Sequence, residues 1–134
     1  MARFLVSHCV FPTPDIHRTA EFYSARLGFR AAAYLDAMEP HICLYRDSTE
    51  IILTKANAER VLPNRELYGY GYDAYFVCDD LEELQKEYLT AGVKFARLLA
   101  KTDTHSRAFV IEDTDGRWIG FGPEEDGKQL IINS

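Results

Sequence analysis

Asp15-Ile16, Glu21-Phe22-Tyr23 and Leu27-Gly28-Phe29 are echoed 65 residues later by Asp80-Leu81, Lys86-Glu87-Tyr88 and Gly92-Val93. A second echo follows at an offset of 68, where Leu44-Tyr45-Arg46-Asp47-Ser48-Thr49-Glu50-Ile51-Ile52 runs parallel to Glu112-Asp113-Thr114-Asp115-Gly116-Arg117-Trp118-Ile119-Gly120. The parts come in the same order in both halves, so the chain reads as one supersecondary unit used twice, with three residues inserted in between.

Working outward, residues 3–11 read as a strand that ends at Pro12-Thr13-Pro14. Thr13 is suited to cap a helix with Pro14 in its first turn, and Ile16, Ala20, Tyr23 and Leu27 recur at helical spacing until Gly28 stops them. Strands follow over 29–35, 42–46 and 50–54, the last two joined by a tight Asp47-Ser48 turn, which completes a β-α-β-β-β module over about 3–55. Residues 56–71 form a connector with an expected helical turn around 58–61. The second module, about 72–123, repeats the pattern. It has a strand over 72–78, a helix capped by Asp79 or Asp80, strands over 95–101, 108–112 and 118–121, and a Thr114-Asp115-Gly116 turn. The tail, 124–134, ends in an apolar Leu130-Ile131-Ile132 that either adds an edge contact or is frayed. The fold class is therefore α+β: two βαβββ modules as a single domain of 134 residues.

A net charge of -6 argues against a nucleic-acid partner, because phosphate binding rests on clustered Lys and Arg. The opening apolar run is broken by His8 and is too short for a signal peptide or a membrane span, so a cytoplasmic protein is expected. Cys9, Cys43 and Cys78 are odd in number and lack CxxC spacing, which points to free thiols. The acidic run Asp79, Asp80, Glu82, Glu83 reads as helix capping, and 102–106 as a solvated turn.

Two such modules, with Phe22-Tyr23 and Leu27-Gly28-Phe29 in the first and residues 112–122 closing the second, resemble the vicinal oxygen chelate superfamily. This is the glyoxalase, bleomycin-resistance and dioxygenase group, and the likeness covers about residues 3–123. The resemblance implies curved mixed sheets around a cavity, helices on the outer face, and a homodimer. It also implies metal ligands on the first and last strands of each module. Those positions fall on His8, Asp73, Ile52 and Gly120. His8 fits the family's pattern and Asp73 is an oxygen donor in an unusual place. Isoleucine and glycine offer no side-chain lone pair, where catalytic metal sites want three or more protein ligands.

No cofactor is therefore expected, a divalent metal at His8 being the alternative. The reading is a metal-free homodimer that sequesters a hydrophobic or aromatic small molecule, similar to the bleomycin-resistance branch. An enzyme of the lyase, dioxygenase or isomerase type using His8, Asp73 and Glu50 is a second possibility, and a protein-interaction module a third. Pairing across Asp47-Ser48 puts Tyr45, Glu50, Cys43, Ile52, His41 and Thr54 on the face of the ligand positions. In the second module the expected lining is Phe109, Ile111 and Asp113 beside Trp118, Gly120 and Gly122, with Tyr70, Tyr72 and Tyr75 near the mouth. His8 is a relic ligand, a hydrogen-bond donor to a bound molecule, a proton shuttle tuned by Asp73, or a satisfied buried histidine. Tyr68, Tyr70 and Tyr72, spaced by Gly69 and Gly71, either close over a planar ligand or pack the connector or a dimer seam. Trp118 stacks on a ligand or belongs to the core or an interface.

Overall fold

The structure, a computed structural model, describes residues 1–100 and 107–124. In the first module β1 (Cys9–Thr13) is followed by α1 (Ile16–Leu27), β2 (Arg30–Tyr34), β3 (His41–Arg46) and β4 (Thr49–Lys55). After α2 (Asn64–Tyr68), the second module repeats the order with β5 (Ala74–Val77), α3 (Leu81–Thr90), β6 (Lys94–Arg97), β7 (Phe109–Glu112) and β8 (Trp118–Gly122). Each module forms a four-stranded mixed sheet, ordered β1-β4-β3-β2 and β5-β8-β7-β6. In both sheets the first strand runs parallel to the last, and the other pairs are antiparallel.

Asp15 and Asp80 cap the two long helices by accepting from Arg18 N and Glu83 N, each at 3.1 Å. Thr13, expected as the first cap, is instead fully buried and shares a 2.7 Å hydrogen bond with Thr19. Strand β1 starts at Cys9 rather than Arg3: residues 1–8 join no ladder, and Phe4, Leu5 and Val6 are exposed. At its other end β1 runs through Pro12 to Thr13. An edge strand tolerates a proline there because one side of its backbone needs no donor. The helical turn expected near 58–61 lies further on, as α2. Residues 101–106 and the apolar tail, with the readings placed on them, lie outside the described residues.

The helices cover one face of each sheet, and those faces share a core. Phe11, Tyr23, Leu44, Ile51 and Leu53 of the first module join Leu81, Tyr88, Phe109, Ile111, Ile119 and Phe121 of the second. The seam between modules is reciprocal. Tyr23 of α1 donates to Asp113 below the β7–β8 turn at 2.6 Å, and Tyr88 of α3 donates to Leu27 O at 3.1 Å beside Arg46 at the β3–β4 turn. Burial of these rings and aliphatic side chains is the main favourable term, since each removes well over 100 Å² of apolar surface from water.

Candidate functional site

The faces opposite the helices carry the ligand positions. On the first sheet the register pairs Tyr45 with Glu50, Cys43 with Ile52 and His41 with Thr54, as the two-residue turn at Asp47-Ser48 dictates. Val10 of β1 shares this face and is 56 % exposed. His8, just before β1, turns onto it, and its Nδ1 lies 2.9 Å from Glu50 Oε1. The Arg30 guanidinium sits 4.9 Å from the Tyr45 ring centroid, and Tyr34 stacks on His41 at 5.2 Å. His41 Nδ1 is also 2.8 Å from Glu39 O. The open face of this sheet is thus an aromatic and apolar floor carrying one His–Glu pair.

Two groups on it are pushed away from reactivity. The Tyr45 hydroxyl is pushed up to about 12, first by its hydrogen bond with Cys43 and then by burial and the Glu50 charge. Burial also raises the Cys43 thiol, which stays protonated at neutral pH and is a poor nucleophile.

The second sheet differs from the expected lining by one residue of register. Its turn has three residues, Thr114 to Gly116, with Gly116 at φ 88, and Asp113 N bonds Arg117 O at 2.9 Å across it. The extra residue shifts β7 by one against the repeat, so Val110 pairs with Gly120 and Glu112 with Trp118. A slip of one flips every side chain to the other face. Phe109 and Ile111, expected in the pocket, are fully buried under the helix side, and Phe109 stacks on Phe121 at 4.9 Å. Asp113 is likewise buried in the seam between modules.

Gly120 is covered as well. A Cβ built there would lie 2.8 Å from Tyr75 Cδ2 and 3.3 Å from the Tyr72 ring, and one at Gly122 would overlap the Tyr75 hydroxyl. Tyr75 therefore lies flat across β8, on a shelf that only two glycines can provide. Its ring centroid is 5.9 Å from that of Tyr72, whose hydroxyl accepts from Arg97 at 2.8 Å. Trp118 donates to Glu112 at 3.3 Å, and its ring lies under Arg65, 4.8 Å from centroid to guanidinium. Tyr68 and Tyr70 are exposed, apart from this paving.

Asp73 does not join His8 and Glu50. Its Oδ1 accepts from Asn64 N at 3.2 Å, while Oδ2 is buried without a partner, and burial raises its pKa. Among the described residues no three His, Cys, Asp or Glu side chains are grouped to hold a metal ion. Ile52 and Gly120 supply no donor and Asp73 is elsewhere, so one chain's residues do not fit a catalytic divalent ion. Arg30, Tyr34, Arg65 and Arg97 were absent from the sequence reading of the site. The alternation of Arg30, Ala32 and Tyr34 along β2 was the available signal.

Residues 5–121 match the family model of the Glyoxalase/Bleomycin resistance protein/Dioxygenase superfamily. No curated protein matches the chain. Among solved structures, UcmS2 is 17 % identical over 92 % of this chain and 100 % of its own, with a TM-score of 0.71. A glyoxalase/bleomycin resistance protein/dioxygenase from Alicyclobacillus acidocaldarius is 18 % identical over 87 % of this chain and 88 % of its own, with a TM-score of 0.66. The genomically encoded fosfomycin resistance protein FosX from Listeria monocytogenes is 14 % identical over 96 % of this chain and 97 % of its own, with a TM-score of 0.62. At these identities the likeness speaks for the fold. No helix among the described residues is long and apolar enough to cross a membrane.

Proposed function

Since the chain belongs to the glyoxalase/bleomycin resistance protein/dioxygenase superfamily, we propose that it is a small-molecule-binding protein of the sequestration or resistance type, acting without a metal. The observation that carries this reading is the paving of the second sheet. Where a last-strand carboxylate would project, Gly120 seats the Tyr75 ring, and the matching residue of the first sheet is Ile52. Both positions offer apolar surface to a ligand. Tyr34, His41 and Tyr45 add flat rings, and His8, Glu50 and Arg30 supply a few polar contacts. An aromatic or hydrophobic compound suits such a surface, in which a few polar groups fix orientation and apolar area supplies affinity.

The proposed working form is a cytoplasmic homodimer. In support, β1 and β5 are the edge strands of their sheets, and Val10, Tyr75 and Val77 beside those edges are exposed. The 2.9 Å His8–Glu50 pair favours one second reading, metal-free acid–base catalysis with His8 as the base.

The test is a thermal-shift screen of planar aromatic compounds on chelator-treated protein, followed by calorimetry of the hits. Saturable binding without turnover, lost in Tyr45→Ala, is expected. Stoichiometric nickel, zinc, iron or manganese lost in His8→Ala would overturn the reading. Turnover abolished in His8→Ala would move it to the second.

A further inference from the structure

The strand registers lay the first sheet's face opposite the helices out in rows. Arg30 pairs with Tyr45 and Tyr45 with Glu50, and His8 reaches Glu50 from just before β1. The next row, a step of about 6.8 Å along the strands, holds Ala32, Cys43, Ile52 and Val10. Tyr34 and His41, stacked on each other, stand in the row after that. The middle row carries no charge and only short or branched side chains. It is a strip bordered by the Tyr45 ring on one side and by the Tyr34 and His41 rings on the other.

The second sheet repeats the charged row with one exchange. Arg30 and Lys94 stand two residues beyond Gly28 and Gly92, each on an edge strand. Lys94 pairs with Glu112 and Glu112 with Trp118, so each row holds a cation, a ring and a carboxylate, but in a different order. Where the carboxylate is the cation's neighbour, Lys94 Nζ lies 3.1 Å from Glu112 Oε2. In the first sheet the ring is the neighbour, and the carboxylate is one strand further on, held by His8 at 2.9 Å. Arg30 is left on the Tyr45 ring, 4.9 Å from its centroid, with no carboxylate among the described residues within ion-pair distance.

The balance of charge on these faces points the same way. Glu50 and Glu112 are the only acidic residues in the eight strands, and both have cation partners. Although the chain carries a net charge of -6, its sheet faces therefore keep guanidinium groups without a counter-ion. Arg30 is the one on the first sheet, and Arg97, which donates to the Tyr72 hydroxyl at 2.8 Å, is the one on the second.

We propose that Arg30 anchors an acidic group of the ligand, so that the first sheet selects planar aromatic carboxylates. This rests on that face being the binding surface of the proposed function, and it adds the class of compound selected. A flat ring lying on Cys43 and Ile52 meets the edges of Tyr45 and His41. A carboxylate on that ring then comes within reach of the guanidinium, one row away on the neighbouring strand. The guanidinium fork matches a carboxylate with paired, charge-assisted hydrogen bonds, and its seat on Tyr45 holds it ready before the ligand arrives. A cationic ring gains nothing in exchange, since Glu50 is already taken by His8.

The probes are 2-naphthoate, its neutral counterpart 2-naphthamide and the cation 2-naphthylmethylammonium, titrated calorimetrically into full-length, chelator-treated protein. Naphthoate is expected to bind one-to-one and about tenfold more tightly than the amide, with an advantage that shrinks as salt is raised, and the cation more weakly than either. Arg30→Gln should bring naphthoate down to the level of the amide and leave the amide unchanged, a split that a merely structural role would not produce. Tyr45→Ala should remove binding of both, and Arg97→Gln should leave their ratio as it is. Equal or tighter binding of the amide or the cation, or a preference for the acid that survives Arg30→Gln, overturns the assignment while the proposed function stands. Failure of all three to bind overturns it too, and the wider screen of aromatic compounds then decides the proposed function by itself.

Discussion

Replacing Gly122 by alanine tests whether Tyr75 rests on β8. A Cβ at Gly122 overlaps the far end of the Tyr75 ring, and one at Gly120 comes within 2.8 Å of it, so the ring must leave its shelf. Tyr75 is 49 % exposed and at the end of a rotatable side chain, so it can swing into solvent without moving backbone. The burial lost with the ring's covered half, about 100 Å² at about 25 cal/mol/Å², is then about 2.5 kcal/mol. Urea unfolding of Gly122→Ala should show a loss of about 1–2.5 kcal/mol at unchanged m-value. With Tyr75→Ala already present the sign should invert. Gly122 lies at no positive φ, and alanine in a strand is favoured over glycine by about 0.5–1 kcal/mol. A Gly122→Ala that is neutral or stabilising in the presence of Tyr75 would refute the packed ring and, with it, the aromatic paving on which the proposed function leans.

Asp113→Ala should cost about 3–5 kcal/mol and lower the melting midpoint by about 10 °C in scanning calorimetry, because it leaves Arg117 buried beside Tyr23 with two of its four hydrogen bonds gone. The pKa of Asp73 is raised above its unfolded value chiefly by burial, so its protonated carboxyl group favours folding below the unfolded pKa, and that contribution fades as pH rises through the folded pKa. Asp73→Asn should therefore raise the midpoint at pH 7 and leave it unchanged at pH 3, as thermal melts at the two pH values would show. Burial raises the thiols of Cys9 and Cys43, so both should react more slowly with a disulfide reagent at pH 8 than a model cysteine peptide, followed by absorbance.

Both modules and the open face of the first sheet were legible in the sequence, since Tyr45, Cys43 and His41 follow from counting back across a two-residue turn. Counting failed in the second hairpin, where the repeat's constant offset concealed an added turn residue and placed Phe109 on the wrong face. Three-residue turns with a glycine at positive φ carry their own register, and Asp115-Gly116 was the sign of one. The strand assigned to residues 3–8 rested on β propensity alone, and propensity by itself makes no ladder. The seam between modules was out of reach, because Tyr23–Asp113 and Arg46–Glu87 join residues that no local pattern connects.

The reciprocal seam also bears on how the chain comes into being at the ribosome. Arg117 reaches back 105 residues to Pro12, and Asp113 reaches back 90 to Tyr23. Until these late residues emerge from the exit tunnel, the Tyr23 hydroxyl near the first module's core lacks its acceptor. The first half therefore cannot close this contact by itself, and the clasp forms only once residues 113–117 have been translated.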